Sequence, residues 1–189
     1  PILEKPFRLV AIGLFLLIAA AIVLAIGERR SLIAGLEQES MVLHRLISQR
    51  ADQHDAHLTA LSALATATTG QRRDLFLEVA ATISRFYPRI DEIQLVALDP
   101  QGGILGGQAL DPVLADTVRS AARASDGSIA LLPYPQKPHH YIMVKRSPNS
   151  DAARYGLMLG IDAEKLLAEA GPFWSRKGVA FSLALPAGQ

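Results

Sequence analysis

The chain has no cysteine among its 189 residues. That excludes disulfides, thiol catalysis and cysteine-ligated metal, and it is compatible with an oxidising compartment. Excess charge is missing too: 19 basic and 18 acidic residues leave a net charge of +1, which gives no electrostatic case for a nucleic-acid partner. Enzyme signatures are absent. Gly102-Gly103 and Gly106-Gly107 lack the lysine and following helix of a phosphate-binding loop. No serine sits in a Gly-x-Ser-x-Gly elbow, and no nucleotide-binding box or kinase phosphoacceptor is present. The chain is therefore assigned no catalytic residue, no metal and no cofactor. If the whole protein is a kinase, that chemistry lies beyond Gln189.

Charge is also missing from Leu9 to Gly27, LVAIGLFLLIAAAIVLAIG. At about 1.5 Å per residue, a helix of roughly nineteen residues approaches the ~30 Å hydrocarbon thickness of a bilayer. An all-round apolar helix this close to a terminus predicts a membrane-spanning anchor. Ala25-Ile26-Gly27 leaves a cleaved secretory signal as the rival reading, although the run exceeds the usual ~7–15 residue signal core. Both readings export the remainder. Lys5 and Arg8 before the run balance Arg29 and Arg30 after it, so charge bias does not set orientation.

From Glu28 to Thr69 there is no proline, and Gly35 is the only glycine. Leu32, Leu36, Leu43, Ile47, Leu58, Leu61 and Ala65 recur at helical spacing, interrupted by Ser40 and His54. Residues 28–69 are expected to form a long stalk helix. Its Leu58–Ala65 part suits packing on its own domain, and Leu32–Ile47 suits pairing with a second helix, as in a homodimer. A second helix is expected over Arg72–Tyr87, with Leu75, Phe76, Val79, Ala80, Ile83 and Phe86 on one face; Pro88 ends it.

Ile93–Leu98 reads as a strand, Asp99–Gly103 as a turn and Ile104-Leu105 as the return. Asp111-Pro112 starts a helix with a Leu114, Val118, Ala121 stripe. Arg119 and Arg123 complement its C-terminal end, and Asp126-Gly127 stops it. Strands follow at Ser128–Tyr134, Tyr141–Ser147 and Tyr155–Asp162. A short helix then runs from Ala163 to about Ala170, capped by Asp162, and a last strand spans Val179–Leu185. The expected class is α+β: a five-strand antiparallel sheet with helices on one face. The break-off at Gln189, within a strand-turn unit, suggests further sequence. The expected divisions are 1–8 cytoplasmic, 9–27 transmembrane, 28–69 stalk and 70–189 domain.

Three stretches are similar to one family. IQLVALDPQGG (Ile93–Gly103) resembles a first strand with an Asp-x-x-Gly hairpin turn. YIMVKRSPNSDAARYGLMLGIDAEKLLAEA (Tyr141–Ala170) resembles paired strands leading through Gly-x-x-x-Gly-x-Asp to a helix. GVAFSLALPAG (Gly178–Gly188) resembles the strand and turn that follow. In this order, behind an anchor and a long helix, they resemble the extracytoplasmic Cache (PAS-like) input domains of bacterial transmembrane receptors. The resemblance covers about Arg50 to Gln189. Such domains occur in sensor histidine kinases, diguanylate cyclases and chemoreceptors; the resemblance implies a periplasmic sensor domain held in the inner membrane, with a two-component histidine kinase the expected host, that signals through dimeric helices. The chain departs from the amino-acid sensors of that family. Gly160 stands where they carry an acidic residue, and their Tyr/Arg/Trp/Tyr cluster is missing; Trp174 is the only tryptophan.

By the resemblance, a ligand would lie between the sheet and the elements covering it. The candidate contacts are Tyr134, His140, Tyr141, Met143, Lys145, Met158 and Gly160. Strand alternation puts Tyr141, Met143 and Lys145 on one face, and Ile142, Val144 and Arg146 on the other. Lysine would neutralise a carboxylate or phosphate, and tyrosine would add a hydroxyl and an apolar wall. The ligand expected from Lys145 is thus a small, anionic molecule; a periplasmic partner is the other candidate. Arg146 reads as an edge-strand charge, and Asp162 as a helix cap. Gly156 and Gly160 either open a cavity or admit close packing. One of His139 and His140 can reach a pocket, since alternation separates them. His54 and His57 share a helix face but read as polar surface. A different class, a single-pass scaffold of a pilus or secretion assembly, also combines anchor, stalk and small α+β domain.

Overall fold

The computed structural model describes residues 4–67, 73–106 and 109–169, and the chain divides into two units, Pro1–Leu46 and Ile47–Gln189. The expected strand Val179–Leu185 and the break at Gly70 lie outside the described residues. Helix α1 spans Glu4–Ala67. Along the described part of the apolar run, from Ile12 to Ile26, the large apolar side chains are solvent-facing, with Phe15 and Leu17 each 70% exposed. The helix is long and apolar enough to cross a membrane. Leu32 and Leu36, beyond the apolar run, are exposed as well.

The second unit takes the last part of α1 and adds α2 (Arg73–Phe86), β1 (Ile90–Ala97), β2 (Ile104–Gly106), α3 (Pro112–Ala124), β3 (Ala130–Pro133), β4 (His140–Ser147), β5 (Tyr155–Asp162) and α4 (Ala163–Ala168). The sheet is five-stranded and antiparallel, in the order β2-β1-β5-β4-β3. β5 has the bounds expected of it. β1 starts three residues before the expected Ile93, and β3 is shorter than expected because Ser128 is held in a turn by the Asp126 carboxylate.

The helices lie on both faces of the sheet, not on one. Leu58, Leu61 and Ala65 of α1 and Phe76, Ala80 and Ile83 of α2 pack on Ile93, Leu95, Tyr141, Met143, Leu157, Leu159 and Ile161. Leu114, Ala115, Val118 and Ala122 of α3 pack with Val96, Ile142, Val144 and Met158 on the opposite face. The central strands are apolar at successive positions, so each face needs its own cover. Gly156 settles one of the two glycine readings. A Cβ there would lie 3.0 Å from the Ala122 Cβ and 3.2 Å from Val118 Cγ1, so glycine lets α3 approach β5 closely. Phe86, expected on the buried face of α2, is 72% exposed.

Local signals explain the helix ends. The Asp111 carboxylate accepts from the Val113 and Leu114 amides, with Pro112 at the first helical position. Asp111→Ala is expected to cost about 1 kcal/mol, read as a small drop in the thermal midpoint of the chain in detergent. Arg119 and Arg123 do not serve their own helix end; they donate to the Ala97 and Leu98 carbonyls at the end of β1.

Candidate functional site

One residue breaks the alternation of β1. Ile90 pairs with Ile161 and Glu92 with Gly160, so Asp91 is an extra, bulged residue. A bulge bends a strand and re-aims its side chains. Here it returns Ile90 to the core face occupied by Ile93 and sends Asp91 and Glu92 to one cation. The Lys137 Nζ lies 3.1 Å from Asp91 Oδ2 and 3.0 Å from Glu92 Oε2. Lys137 stands on the β3–β4 connection, where its amide donates to the Tyr134 carbonyl.

The Tyr134 hydroxyl donates to Glu92 Oε2 at 2.6 Å, and the Gln94 amide donates to Glu92 Oε1 at 3.1 Å. Lys137 also lies over the Tyr134 ring, 4.8 Å from its centroid. Burial opposes the charge on Glu92, but the bonds from Tyr134, Gln94 and Lys137 outweigh it and hold this carboxyl below its usual range. Burial and the Glu92 carboxylate push the Tyr134 phenol up to about 12. Burial works against the Lys137 ammonium, yet the hydrogen bonds to Glu92 and Asp91 raise its pKa. A buried carboxylate, a phenol and an ammonium are thus locked in one network at neutral pH.

His140 joins at the edge of this network. Its Nε2 lies 3.2 Å from Asp91 Oδ2 and 3.8 Å from Asp162 Oδ2, and its Nδ1 is 2.8 Å from the Pro138 carbonyl. Asp162 caps α4 by accepting from the Glu164 and Lys165 amides, as expected of it. Burial raises its pKa, and the backbone bond from Lys165 leads the effects that lower it overall.

Beside the network is a cavity of about 650 Å³ between α2 and the edge of β1. Among the described residues, β2 pairs only with Gln94–Val96, which leaves the bulged end of β1 open on that side. Leu77, Ala80 and Ile93 supply apolar wall; Asp91, Glu92 and Lys137 supply charge. With one apolar side and a few converging polar groups, such a space suits binding. Among the described residues that line it there is no activated nucleophile. Among the described residues no group of three His, Cys, Asp or Glu is placed to hold a metal.

Of the seven residues expected at a ligand, Tyr134, His140 and Gly160 come together here. The Tyr134 and His140 rings are 6.3 Å apart, edge to face, and a Cβ on Gly160 would sit 3.6 Å from Tyr134 Cε1. The other four are placed elsewhere. Tyr141 and Met143 are buried under α1 and α2, where burial raises the Tyr141 phenol to about 12. Lys145 is tied to α1, 2.8 Å from Asp55 Oδ1 and 2.9 Å from Thr59 Oγ1. Met158 is buried beneath α3. Strand alternation, correctly read along β4, divides these residues between opposite faces of the sheet. Arg146 bonds to Asn149, and His139 is exposed.

Asp91, Glu92 and Lys137 had no signal of their own as site residues. A pair of acids at the head of an apolar strand was the available clue. His54 and His57 depart from the polar-surface expectation: His54 is 1% exposed, and His57 is half-buried against the Tyr87 ring, 4.6 Å between centroids. No family model, no curated protein and no solved structure matches this chain.

Proposed function

We propose that this chain is the membrane-anchored, periplasmic input domain of a bacterial receptor, a two-component sensor histidine kinase, and that a small ligand occupies the cavity at the bulged end of β1. The observation that carries the reading is the union of that cavity with the buried Glu92–Tyr134–Lys137 network. The resemblance to Cache domains supports it further. The Asp99 turn joins β1 to β2, β4 and β5 are paired strands, and Asp162 leads into a short helix. Exposed Leu32 and Leu36 on α1 support a homodimer formed through the stalk.

The charges at the cavity favour a ligand unlike the anionic one expected from Lys145, which is engaged by α1. Two carboxylates face one ammonium, so a ligand with its own cationic group can share Asp91 and Glu92 with Lys137. Its hydrocarbon part would lie on Leu77 and Ala80. Ligand binding drives a change in helix arrangement only through a difference in affinity between two arrangements.

The test is thermal melting of the full chain in lipid nanodiscs against a panel of small amines, zwitterions and organic acids. A ligand at one hundred times its Kd adds about 2.7 kcal/mol, a rise of several degrees. Glu92→Gln is expected to abolish that rise, and Arg146→Gln, on the β4–β5 connection side, to leave it intact. A flat response to the whole panel, or an equal rise in Glu92→Gln, defeats the reading.

A further inference from the structure

Arg89 is the largest fully buried side chain among the described residues. It lies between Pro88 and β1, and its guanidinium gathers three partners. Nε donates to His54 Nε2 at 2.9 Å, one terminal nitrogen donates to Gln53 Oε1 at 2.5 Å, and the other lies 2.5 Å from Glu169 Oε2. Gln53 and His54 belong to α1; Glu169 follows α4. The Tyr87 ring lies under the guanidinium, 5.0 Å from centroid to Cζ.

An arginine keeps its proton, so the bond to His54 requires a lone pair on Nε2. The histidine must therefore be neutral, with its proton on Nδ1. Nδ1 is buried and has no hydrogen-bond partner among the described residues. The charged or titratable groups facing the ring are Arg89 from the α2–β1 connection and His57 and Arg50 from α1 itself. The nearby carboxylate, Glu169, is spent on Arg89 and on Arg50 at 3.7 Å. A proton arriving on Nε2 would remove the acceptor and set two cations at a 2.9 Å contact.

We infer that His54 and Arg89 form an acid-released latch between α1 and the β1 end of the sheet, opened by protonation of His54. Burial, then Arg89, His57 and Arg50, hold the latched ring down to about 4 from its ordinary 6.5. A histidine with lowered proton affinity in the latched state favours that state above pH 6.5, and the preference is lost as pH falls from 6.5 towards 4. By pH 4.5 the ratio of released to latched molecules rises by about two orders of magnitude. The latch needs no ligand at the cavity, so the two readings fail separately.

The absence of cysteine makes the measurement clean. Ala56→Cys on α1 and Val113→Cys at the start of α3, both exposed, carry spin labels on the full chain in lipid nanodiscs. Pulsed EPR is expected to give one narrow distance distribution at pH 7.5 and a second population at pH 4.5. His54→Gln, whose amide oxygen accepts from Arg89 at any pH, is expected to keep the narrow distribution throughout. Equal distributions at both pH values in the parent chain, or release of His54→Gln in parallel with it, overturn the latch. Nitrogen-15 NMR of the parent imidazole at pH 7.5 gives a second check that needs no variant. A proton on Nδ1 supports the latch, and a proton on Nε2 rejects it.

Discussion

Arg89→Ala is expected to destabilise the sheet-bearing unit by about 3–5 kcal/mol, the range found when one partner of a buried ion pair is removed. The guanidinium is 1% exposed and joins α1, β1 and the residue after α4. Alanine leaves the Glu169 carboxylate without its buried counter-ion, and Gln53 and His54 without their donor. It also leaves a void beside Tyr87. The arginine and His54 are both 1% exposed, so water does not readily replace the lost contacts there, and the cost exceeds that of a surface pair. Near-UV circular dichroism of the full chain in detergent should show the thermal midpoint falling by about 10 °C or more. Arg89→Met, which restores volume but not charge, should recover only part of the loss. Glu169→Gln should cost much less, because that side chain is 27% exposed and a neutral amide oxygen still accepts. A midpoint within two or three degrees of the parent for Arg89→Ala would contradict the described packing.

The second large effect concerns position 160. Gly160→Asp is expected to destabilise this chain by about 4 kcal/mol at neutral pH, combining overpacking with uncompensated buried charge. A Cβ at Gly160 would lie 2.9 Å from Asp91 Oδ1 and 3.1 Å from Glu92 Cβ. The carboxylate of Gly160→Asp would then stand beside two others, with the Lys137 ammonium already held by both. Gly160→Ala is the control. It meets the same contacts without the charge, and since Asp91 can swing aside, it should cost only about 1 kcal/mol. Repulsion raises the introduced carboxyl's pKa in the folded state, so its deficit is complete at neutral pH. The deficit shrinks as pH falls into the carboxylate range and protonation removes the repulsion. Thermal melting of both variants at pH 7.5 and pH 5 measures the difference. Equal midpoints at pH 7.5 would mean that the Asp91–Glu92 pair does not occupy this space.

The same position shows how far sequence reasoning reached. Gly160 was legible as a departure from the resembled family, but not as the floor beneath Tyr134 and the acidic pair. That role depends on a bulge in another strand, and a single inserted residue in an apolar run leaves no periodic trace. Lys145 illustrates the reverse case. Its strand and face were legible from alternation, whereas its partners Asp55 and Thr59 lie 90 and 86 positions earlier on a helix. His54 was legible as an interruption of the α1 seam. Its burial was hidden because the arginine it receives sits thirty-five residues later, beside a proline and outside any periodic element.

Short-range chemistry was enough to place the apolar helix, the Asp111-Pro112 and Asp162 helix starts, the Asp99 hairpin turn and the full extent of β5. Each depends on residues within a few positions of one another, where spacing and side-chain type act directly on the backbone. Only the assembled sheet decided that both its faces are covered, that Asp91, Glu92, Tyr134 and Lys137 form one network, and that a neutral histidine holds a buried arginine. Those outcomes depend on which distant groups are taken out of water together. An ion or a dipole excluded from solvent is governed by its nearest neighbours in space, and the order of residues along the chain does not name them.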